Sequence, residues 1–222
     1  LMGELENTLI LFTSDNGPHY AKGGHSLEFF DSNGDLKGGK RDLYEGGIRV
    51  PLIAYWDGKI KSNSITEHIA GFQDIMPTFA DLIGLSVNEK IDGISFLPEL
   101  SSKYQDKHEY LSWEFQLSGW FQEIPNGGFR QSLRIKNWKA VRYNINSSIE
   151  LYDIDKDISE LNNIASKHPD IILQAEVIFK SWICLLKHPD VRSSAEKLIA
   201  RTGYHDDLHL RIETCPQNRC VE

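Results

Sequence analysis

Residues 8–51 read TLILFTSDNGPHYAKGGHSLEFFDSNGDLKGGKRDLYEGGIRVP, and the predicted fold rests on them. Residues 8–14 form an unbroken apolar and β-branched run, which is typical of a strand buried on both faces of a parallel sheet. The run ends at Asp15, Asn16 and Gly17. Because ligands bind beyond the carboxyl ends of strands in open parallel sheets, Asp15 and Asn16 are candidate site residues. Asp-Asn-Gly is also a common turn sequence, so the tripeptide alone does not define a site.

A second strand is predicted over residues 52–56, after Pro51 at a position that a strand tolerates. We expect the two strands to be adjacent or nearly adjacent in a parallel sheet, with their carboxyl ends at a common edge. The loop of residues 19–36 between them lacks clear periodicity, and long loops in compact domains are usually functional or disordered. His25 lies in this loop and is a candidate substrate contact, with an ordinary surface histidine as the alternative.

Two motifs in this region resemble the sulfatase family. The first is Ser14-Asp15-Asn16-Gly17 at the end of the first strand, and the second is GGKRDLYEGGIRVP over residues 38–51. Sulfatases carry S-D-N-G and then, further along, G-x-K-x-x-x-x-E-G-G followed by R-x-P. The order and the separation of both motifs match, which makes the resemblance far more specific than either motif alone.

The resemblance implies a chemistry for three of these residues. Hydrolysis of a sulfate ester requires stabilisation of negative charge on the sulfate oxygens and on the leaving oxygen, which a divalent cation and a fixed ammonium can provide. Asp15 and Asn16 offer two adjacent oxygen ligands, which suit Ca²⁺ or Mg²⁺ and include no imidazole or thiolate to favour Zn²⁺. Lys40 would be the catalytic, sulfate-binding ammonium, with a solvated loop lysine as the alternative.

The resemblance also implies that part of the active site lies outside this sequence. Two ligands cannot hold Ca²⁺, which takes about six to eight oxygens, so the remaining carboxylates are expected in a missing N-terminal half. Sulfatases carry in that half a formylglycine nucleophile, made from Cys or Ser within C-x-P-x-R or S-x-P-x-R. Cys184 and Cys215 do not lie in such a motif. We therefore expect this chain to be the C-terminal part of a sulfatase and to be inactive by itself.

The predicted fold class is α/β. Residues 1–105 are expected to form the C-terminal part of an alkaline-phosphatase-like parallel or mixed sheet with helices. A helix is predicted over residues 74–84, with Asp74 at the N-cap and Gly84 at the end. Its apolar residues recur at helical spacing and are expected to face the core: Ile75, Phe79, Leu82 and Ile83.

A small α+β subdomain is expected over residues 106–190, followed by a tail at residues 191–222. Four short strands separated by turn sequences predict an antiparallel sheet, over residues 110–115, 130–135, 138–143 and 149–152. A helix over residues 169–186 carries an apolar stripe that would cover one face of this sheet. The stripe consists of Ile171, Ile172, Ala175, Ile178, Phe179, Trp182, Leu185 and Leu186.

Composition limits the partners and the compartment. The formal net charge of −8, with no cluster of Lys and Arg, argues against nucleic acid as the main partner. No apolar run approaches the ~18 residues of a membrane span. Cys215 and Cys220 could form a disulfide, which would suit an exported or lysosomal protein, but two free thiols are equally allowed. The resemblance implies the same compartments, periplasmic or secreted in the case of export.

Three classes of function fit the sequence. The first is part of a sulfatase that acts on a sulfated carbohydrate or another sulfated small molecule such as an aryl sulfate, together with the N-terminal half of the same protein. The second is a phosphate-ester hydrolase of the same superfamily, although such enzymes usually bind two Zn²⁺ through His ligands and the residue after Asp15 is Asn. The third is a non-catalytic, degenerate sulfatase module that binds anions or glycans.

Overall fold

A computed structural model describes residues 3–20, 26–87, 91–116 and 129–186, so the predicted tail lies outside the described residues. The strands in these ranges are β1 Ile10–Thr13, β2 Leu52–Tyr55, β3 Leu111–Gln116, β4 Phe129–Ile135, β5 Trp138–Arg142 and β6 Glu150–Asp153. The α-helices are α1 Leu27–Phe30, α2 Glu45–Ile48, α3 Ile75–Leu82, α4 Leu97–Leu100 and α5 Pro169–Leu186. None of these helices has both the length and the apolar character that a membrane crossing requires.

Strands β3 to β6 form an antiparallel sheet, called the small sheet below, in their order along the chain. A two-residue turn joins β4 to β5, and Lys136 in this turn has a φ of 51°, as tight hairpin turns require. The predicted four-stranded antiparallel sheet is confirmed, and each strand end lies within one residue of its predicted position.

Helix α5 covers one face of the small sheet. Ala175 and Phe179 are fully buried, and they belong to one hydrophobic cluster with Leu133 on β4 and Leu151 on β6. Three further members of the predicted stripe pack against this cluster: Ile171, Ile172 and Ile178. The predicted helix and the first part of its stripe are therefore confirmed. The side chains of Trp182, Leu185 and Leu186 lie outside the described set.

Strands β1 and β2 are neighbours, as predicted, but they pair antiparallel, so the predicted parallel pairing is wrong. Thr13 at the carboxyl end of β1 lies opposite Leu52 at the amino end of β2. The reason lies in the connection between them. The backbone N–H of Gly17 donates a hydrogen bond to the carbonyl of Gly47 at 2.9 Å, which returns the chain to the edge where it left β1. A strand that starts at this edge runs antiparallel to β1.

The faces of β1 and β2 are more exposed than the sequence predicts. Phe12 is 63% exposed and Ile53 is 59% exposed, whereas their apolar runs predict strands buried on both faces. The prediction of burial is wrong for the described part of the chain. The reason is that this sheet has two strands within the described residues, and the described elements do not cover both of its faces.

Helix α3 begins at Ile75, one residue after Asp74, and Gly84 beyond its end has a φ of 70°. The predicted helix is confirmed. The Asp74 carboxylate, however, makes no side-chain cap on α3. It accepts hydrogen bonds from the backbone N–H groups of Gly71 at 2.7 Å and Ile94 at 2.8 Å, so it fixes the loops on either side of the helix.

The predicted core face of α3 is wrong in part. Phe79 is 45% exposed and Ile83 is 68% exposed, while the buried residues of the helix are Pro77 and Thr78. Apolar residues at helical spacing show which face of a helix is apolar. They do not show whether another element packs on that face, and here the described elements leave part of it exposed.

Candidate active site

The two sequence motifs pack against each other through their backbones. The N–H of Gly17, in the first motif, donates a hydrogen bond to the carbonyl of Gly47, in the second motif, at 2.9 Å. A Cβ atom on Gly17 would lie 1.8 Å from the carbonyl oxygen of Gly46, and one on Gly47 would lie 2.1 Å from that of Asp42. No side chain fits in either gap, so close backbone approach requires glycine at both positions. The glycines therefore let both motifs form one compact unit.

Asp15, Asn16 and Lys40 line one cavity of about 640 Å³ at the end of β1. Lys40 is held there by its backbone, whose N–H donates a hydrogen bond to the carbonyl of Pro18 at 2.8 Å. The structure thus places the two predicted metal ligands and Lys40 at the wall of one cavity. His25, the predicted substrate contact, lies outside the described residues.

Asp15 and Asn16 could contribute to a metal site. Asp15 is exposed and Asn16 is partly exposed at the wall of the cavity. A carboxylate and an amide oxygen suit a hard cation such as Ca²⁺ as part of a larger ligand set. Within the described ranges, no group of three or more His, Cys, Asp or Glu side chains lies close enough together to hold a metal ion. These two residues therefore fit one part of such a site.

Asp15 and Asn16 also line a larger cavity of about 1090 Å³. Arg134 of the small sheet lines the same cavity, and so does His108, whose Nε2 lies 2.8 Å from the buried carboxylate of Asp74. The candidate ligands are therefore accessible both from the cavity of Lys40 and from the space beside the small sheet.

Lys40 belongs to a strained loop, residues 37–42, called the lysine loop below. Arg41 has a φ of 80°, in the left-handed region that a residue with a side chain rarely adopts. The Asp42 carboxylate accepts a hydrogen bond from the N–H of Gly39 at 3.1 Å, and the N–H of Asp42 donates to the carbonyl of Gly39 at 2.8 Å. Asp42 is therefore an internal brace of the loop.

The sequence did not indicate the residues that hold Asp42 from outside the loop. The Arg130 guanidinium on β4 lies 2.7 Å from the Asp42 carboxylate, and the hydroxyls of Tyr143 and Tyr20 donate to the same group. Burial, reinforced by the neighbouring Asp42 charge, raises the pKa of both tyrosines above its ordinary value, so both hydroxyls keep their protons. No motif marks Arg130 or Tyr143, because their contacts depend on how the lysine loop packs on the small sheet.

Lys37, at the start of the lysine loop, contacts the small sheet. Its ammonium lies 3.9 Å from the centre of the Tyr44 ring, 3.3 Å from the Tyr152 hydroxyl and 3.2 Å from the carbonyl oxygen of Glu160. A cation over an aromatic face is stabilised by the charge distribution of the ring. Lys37 therefore helps to attach the loop to the small sheet.

Glu45, in the second motif, is buried and paired with cations of the small sheet. Its carboxylate lies 2.9 Å from the ammonium of Lys139, which is fully buried on β5, and 3.7 Å from the guanidinium of Arg134. Burial alone would raise the pKa of Glu45, but the charges of Lys139 and Arg134 outweigh burial and hold the pKa below its ordinary value. Glu45 is therefore a structural anion that joins α2 to the small sheet.

A second buried carboxyl group, that of Glu160, lies against this pair. One of its oxygens accepts the N–H of Glu45 at 2.7 Å, and Oε1 has no hydrogen-bond partner among the described residues. Burial raises the pKa of Glu160 to about 7, and the charge of Lys139 offsets burial only in part. The folded chain therefore keeps a proton on Glu160 at pH values where the unfolded chain releases it.

We expect Glu160→Gln to flatten the pH dependence of stability between pH 4.5 and 7. The folded pKa of about 7 lies above the ordinary 4.5, so the folded state binds more protons than the unfolded state in this window. The free energy of unfolding of the wild type should therefore fall by about 1–3 kcal/mol as the pH rises through the window. Gln accepts the same hydrogen bond from Glu45 but does not titrate. Urea unfolding at a series of pH values measures the slope of stability against pH for the wild type and for Glu160→Gln.

Glu6, an exposed carboxylate near the start of the described chain, provides the control. Glu6→Gln should leave the slope of stability against pH unchanged. Equal slopes for Glu160→Gln and the wild type would show that Glu160 is not the titrating group.

Comparison with known proteins finds similarity to one family. A sequence model of the family described as Sulfatase matches residues 1–85. The chain is 28% identical to the uncharacterized sulfatase YdeN of Escherichia coli, over 88% of this chain and 39% of that protein. It is 29% identical to an N-acetylgalactosamine-6-O-sulfatase of Bacteroides thetaiotaomicron, over 79% of this chain and 36% of that protein. The chain thus spans about two fifths or less of the length of these curated relatives.

A solved structure shows the same similarity at the level of the fold. The crystal structure of Ps i-CgsB in complex with k-i-k-neocarrahexaose matches with a TM-score of 0.65 and 27% sequence identity, over 81% of this chain and 37% of that chain. The fold is of mixed α and β content with antiparallel sheets. The first motif follows the end of β1, and the second motif begins in the lysine loop and includes α2. Residues 1–85 match the sulfatase family, and the chain is similar to sulfatases over most of its length.

Proposed function

We propose that this chain forms part of a sulfatase that hydrolyses sulfate esters. The observation that carries the proposal is that Asp15, Asn16 and Lys40 line one cavity. Two oxygen ligands and an ammonium around one space suit a sulfate group that binds beside a divalent cation. The match of residues 1–85 to the sulfatase family supports the same reaction.

Each of these residues has a proposed role. Asp15 and Asn16 would hold Ca²⁺, or Mg²⁺ as the alternative, within a larger ligand set. The cation would neutralise negative charge on the sulfate oxygens. The Lys40 ammonium would bind the sulfate and stabilise the charge that develops on the leaving oxygen. We propose that the formylglycine nucleophile and the remaining ligands belong to an N-terminal half of the same protein, outside these 222 residues.

The proposed substrate is a sulfated carbohydrate or an aryl sulfate. One relative bears the name N-acetylgalactosamine-6-O-sulfatase, and one similar crystal structure contains a neocarrahexaose. The cavity of about 640 Å³ lies in the range of ~300–1,000 Å³ that is usual for sites of small molecules. His25 stays a proposed substrate contact, and an exported or lysosomal location stays a proposal from the family resemblance.

Hydrolysis of 4-nitrophenyl sulfate by the complete protein tests this function, with 4-nitrophenyl phosphate as the comparison substrate. We expect the sulfate ester to be the better substrate. A preference for the phosphate ester would indicate a phosphate-ester hydrolase of the same superfamily, and no turnover of either ester would indicate a module that binds anions or glycans. The 222-residue chain alone should not turn over aryl sulfates, because the nucleophile is proposed to lie outside it.

We expect Asp15→Ala to weaken Ca²⁺ binding by the complete protein by at least about tenfold, because it removes the charged ligand of the pair. A cation that binds the folded state raises the unfolding temperature by mass action, so a Ca²⁺ titration followed by thermal unfolding reports the affinity. Asp57→Ala removes an exposed carboxylate just after β2 and should leave the affinity unchanged. Unchanged affinity in Asp15→Ala would contradict the proposed metal ligand.

A further inference from the structure

Arg130 makes two contacts with the lysine loop from a distant part of the sequence. Its Nη1 lies 2.6 Å from the carbonyl oxygen of Arg41 and 2.7 Å from the carboxylate of Asp42. The Arg130 side chain is only 11% exposed, so both contacts are largely shielded from water. Charge-assisted hydrogen bonds are among the stronger ones, and a low local dielectric strengthens them further.

Tyr143, the residue directly after β5, supports the position of Arg130. The Arg130 guanidinium carbon lies 4.6 Å from the centre of the Tyr143 ring, and the Tyr143 hydroxyl lies 3.2 Å from the Asp42 carboxylate. The ring therefore packs on the guanidinium while its hydroxyl binds the same acceptor. These contacts fix the guanidinium and Asp42 relative to each other.

The contacts of Arg130 reach both neighbours of Lys40. On one side, Arg41 has its strained φ of 80°, and Arg130 binds the carbonyl of this residue directly. On the other side, Gly39 donates its N–H to the Asp42 carboxylate that Arg130 also binds. Strained backbone persists only where surrounding contacts hold it. Removal of Arg130 would therefore let the backbone around Lys40 relax.

We propose that Arg130 is a positioning residue for Lys40, which it holds at the cavity wall through Asp42 and the Arg41 carbonyl. The proposal rests on the proposed function insofar as it concerns catalysis. Misplacement of a catalytic group by even a small distance lowers the rate of the chemical step. The small sheet thus does more than pack against the site, because it holds the backbone segment that carries Lys40.

Limited proteolysis tests the structural part of this proposal without any assay of activity. Trypsin cleaves after Lys and Arg, and Lys40 and Arg41 provide two adjacent cleavage sites in the lysine loop. In Arg130→Met, cleavage at these sites should rise by about tenfold or more over the wild type, because local opening becomes more frequent. Peptide mapping by mass spectrometry measures the rate at each site separately.

Leu133→Ala is the matched control, because Leu133 is a buried core residue on the same strand and belongs to the cluster under α5. It should destabilise the small sheet without selective cleavage after Lys40 or Arg41. Tyr143→Phe removes a single hydroxyl and should give a smaller selective increase, which keeps the test open if Arg130→Met does not fold. If neither Arg130→Met nor Tyr143→Phe shows a selective increase in cleavage after Lys40 or Arg41, the proposal is overturned.

A double-mutant cycle in the complete protein tests the catalytic part. Arg130→Met should lower kcat by about 10- to 100-fold, the range observed for residues that orient a functional group, with KM changed by less than about threefold. In a Lys40→Ala background the same change should lower kcat by less than about twofold, because no ammonium remains to be positioned. If Arg130→Met lowers kcat by the same factor in the wild type and in Lys40→Ala, the positioning role is overturned and the proposed function is left intact. Absence of sulfate hydrolysis in the wild type would instead overturn the proposed function, and the cleavage pattern would still decide whether Arg130 holds the loop.

Discussion

Lys40→Ala in the complete protein should lower kcat for a sulfate ester by about 10²–10³-fold, with a smaller change in KM. Asp15, Asn16 and Lys40 line the same cavity of about 640 Å³. Under the proposed function, a sulfate held by a cation in this cavity also meets the ammonium. The charge on the leaving oxygen develops mainly in the transition state, and an ammonium at that point stabilises the transition state more than the bound substrate. The expected loss corresponds to about 3–4 kcal/mol of transition-state stabilisation.

Steady-state kinetics with 4-nitrophenyl sulfate measures kcat and KM for this variant separately. Lys61→Ala is the control, because Lys61 is an exposed lysine shortly after β2, and its kinetics should match the wild type. Lys40→Arg keeps the positive charge but not the compact ammonium, so it should recover only part of the rate. A value of kcat within threefold of the wild type for Lys40→Ala would remove Lys40 from the catalytic step.

Lys139→Met should lower the free energy of unfolding by about 3–5 kcal/mol, because it leaves a buried carboxylate without its main partner. The Lys139 side chain is fully buried, and its ammonium lies 2.9 Å from the carboxylate of Glu45, which is itself only 7% exposed. Arg49 at 3.5 Å and Arg134 at 3.7 Å remain, but both are more distant partners than Lys139. Urea unfolding followed by tryptophan fluorescence measures the change, and Trp113 is a local probe because its ring centre lies 5.2 Å from the ammonium.

Two further variants separate the effect of burial from the loss of a lysine. Lys156→Met removes the lysine of a pair with almost the same geometry, 2.7 Å from Asp153, but Lys156 is 83% exposed and stability should change little. Adding Glu45→Gln to Lys139→Met removes the unpaired charge and should recover part of the lost stability. An equally small effect of Lys139→Met and Lys156→Met would show that the buried pair does not stabilise the fold.

Sequence patterns predicted most elements of the second part of the chain. The turn sequences between β4, β5 and β6 and the apolar stripe on α5 gave the antiparallel sheet and its covering helix, with strand ends within one residue. These patterns are local, because a turn is specified by a few consecutive residues and an amphipathic face by a fixed spacing. The predicted boundary at residues 105 and 106 stays a prediction.

The first part of the chain was predicted less well. The apolar run that includes β1 indicated a strand correctly, but the same run is compatible with several environments. Its direction relative to β2 depends on the backbone contact between Gly17 and Gly47, and the exposure of Phe12 depends on which elements pack on the sheet. The residues of the strand itself therefore predict neither its direction relative to β2 nor the exposure of Phe12.

The sequence by itself determined the strands, the main helices and the two glycine-rich motifs with Asp15, Asn16 and Lys40, because each depends on residues that are close together in the chain. Only the tertiary structure decided that these motifs line one cavity and that Arg130 holds the lysine loop. The reason is physical: hydrogen bonds and ion pairs act over a few ångströms in space, whatever the separation along the chain. A sequence pattern specifies local conformation, and the packing of the lysine loop and α2 on the small sheet specifies which distant side chains meet.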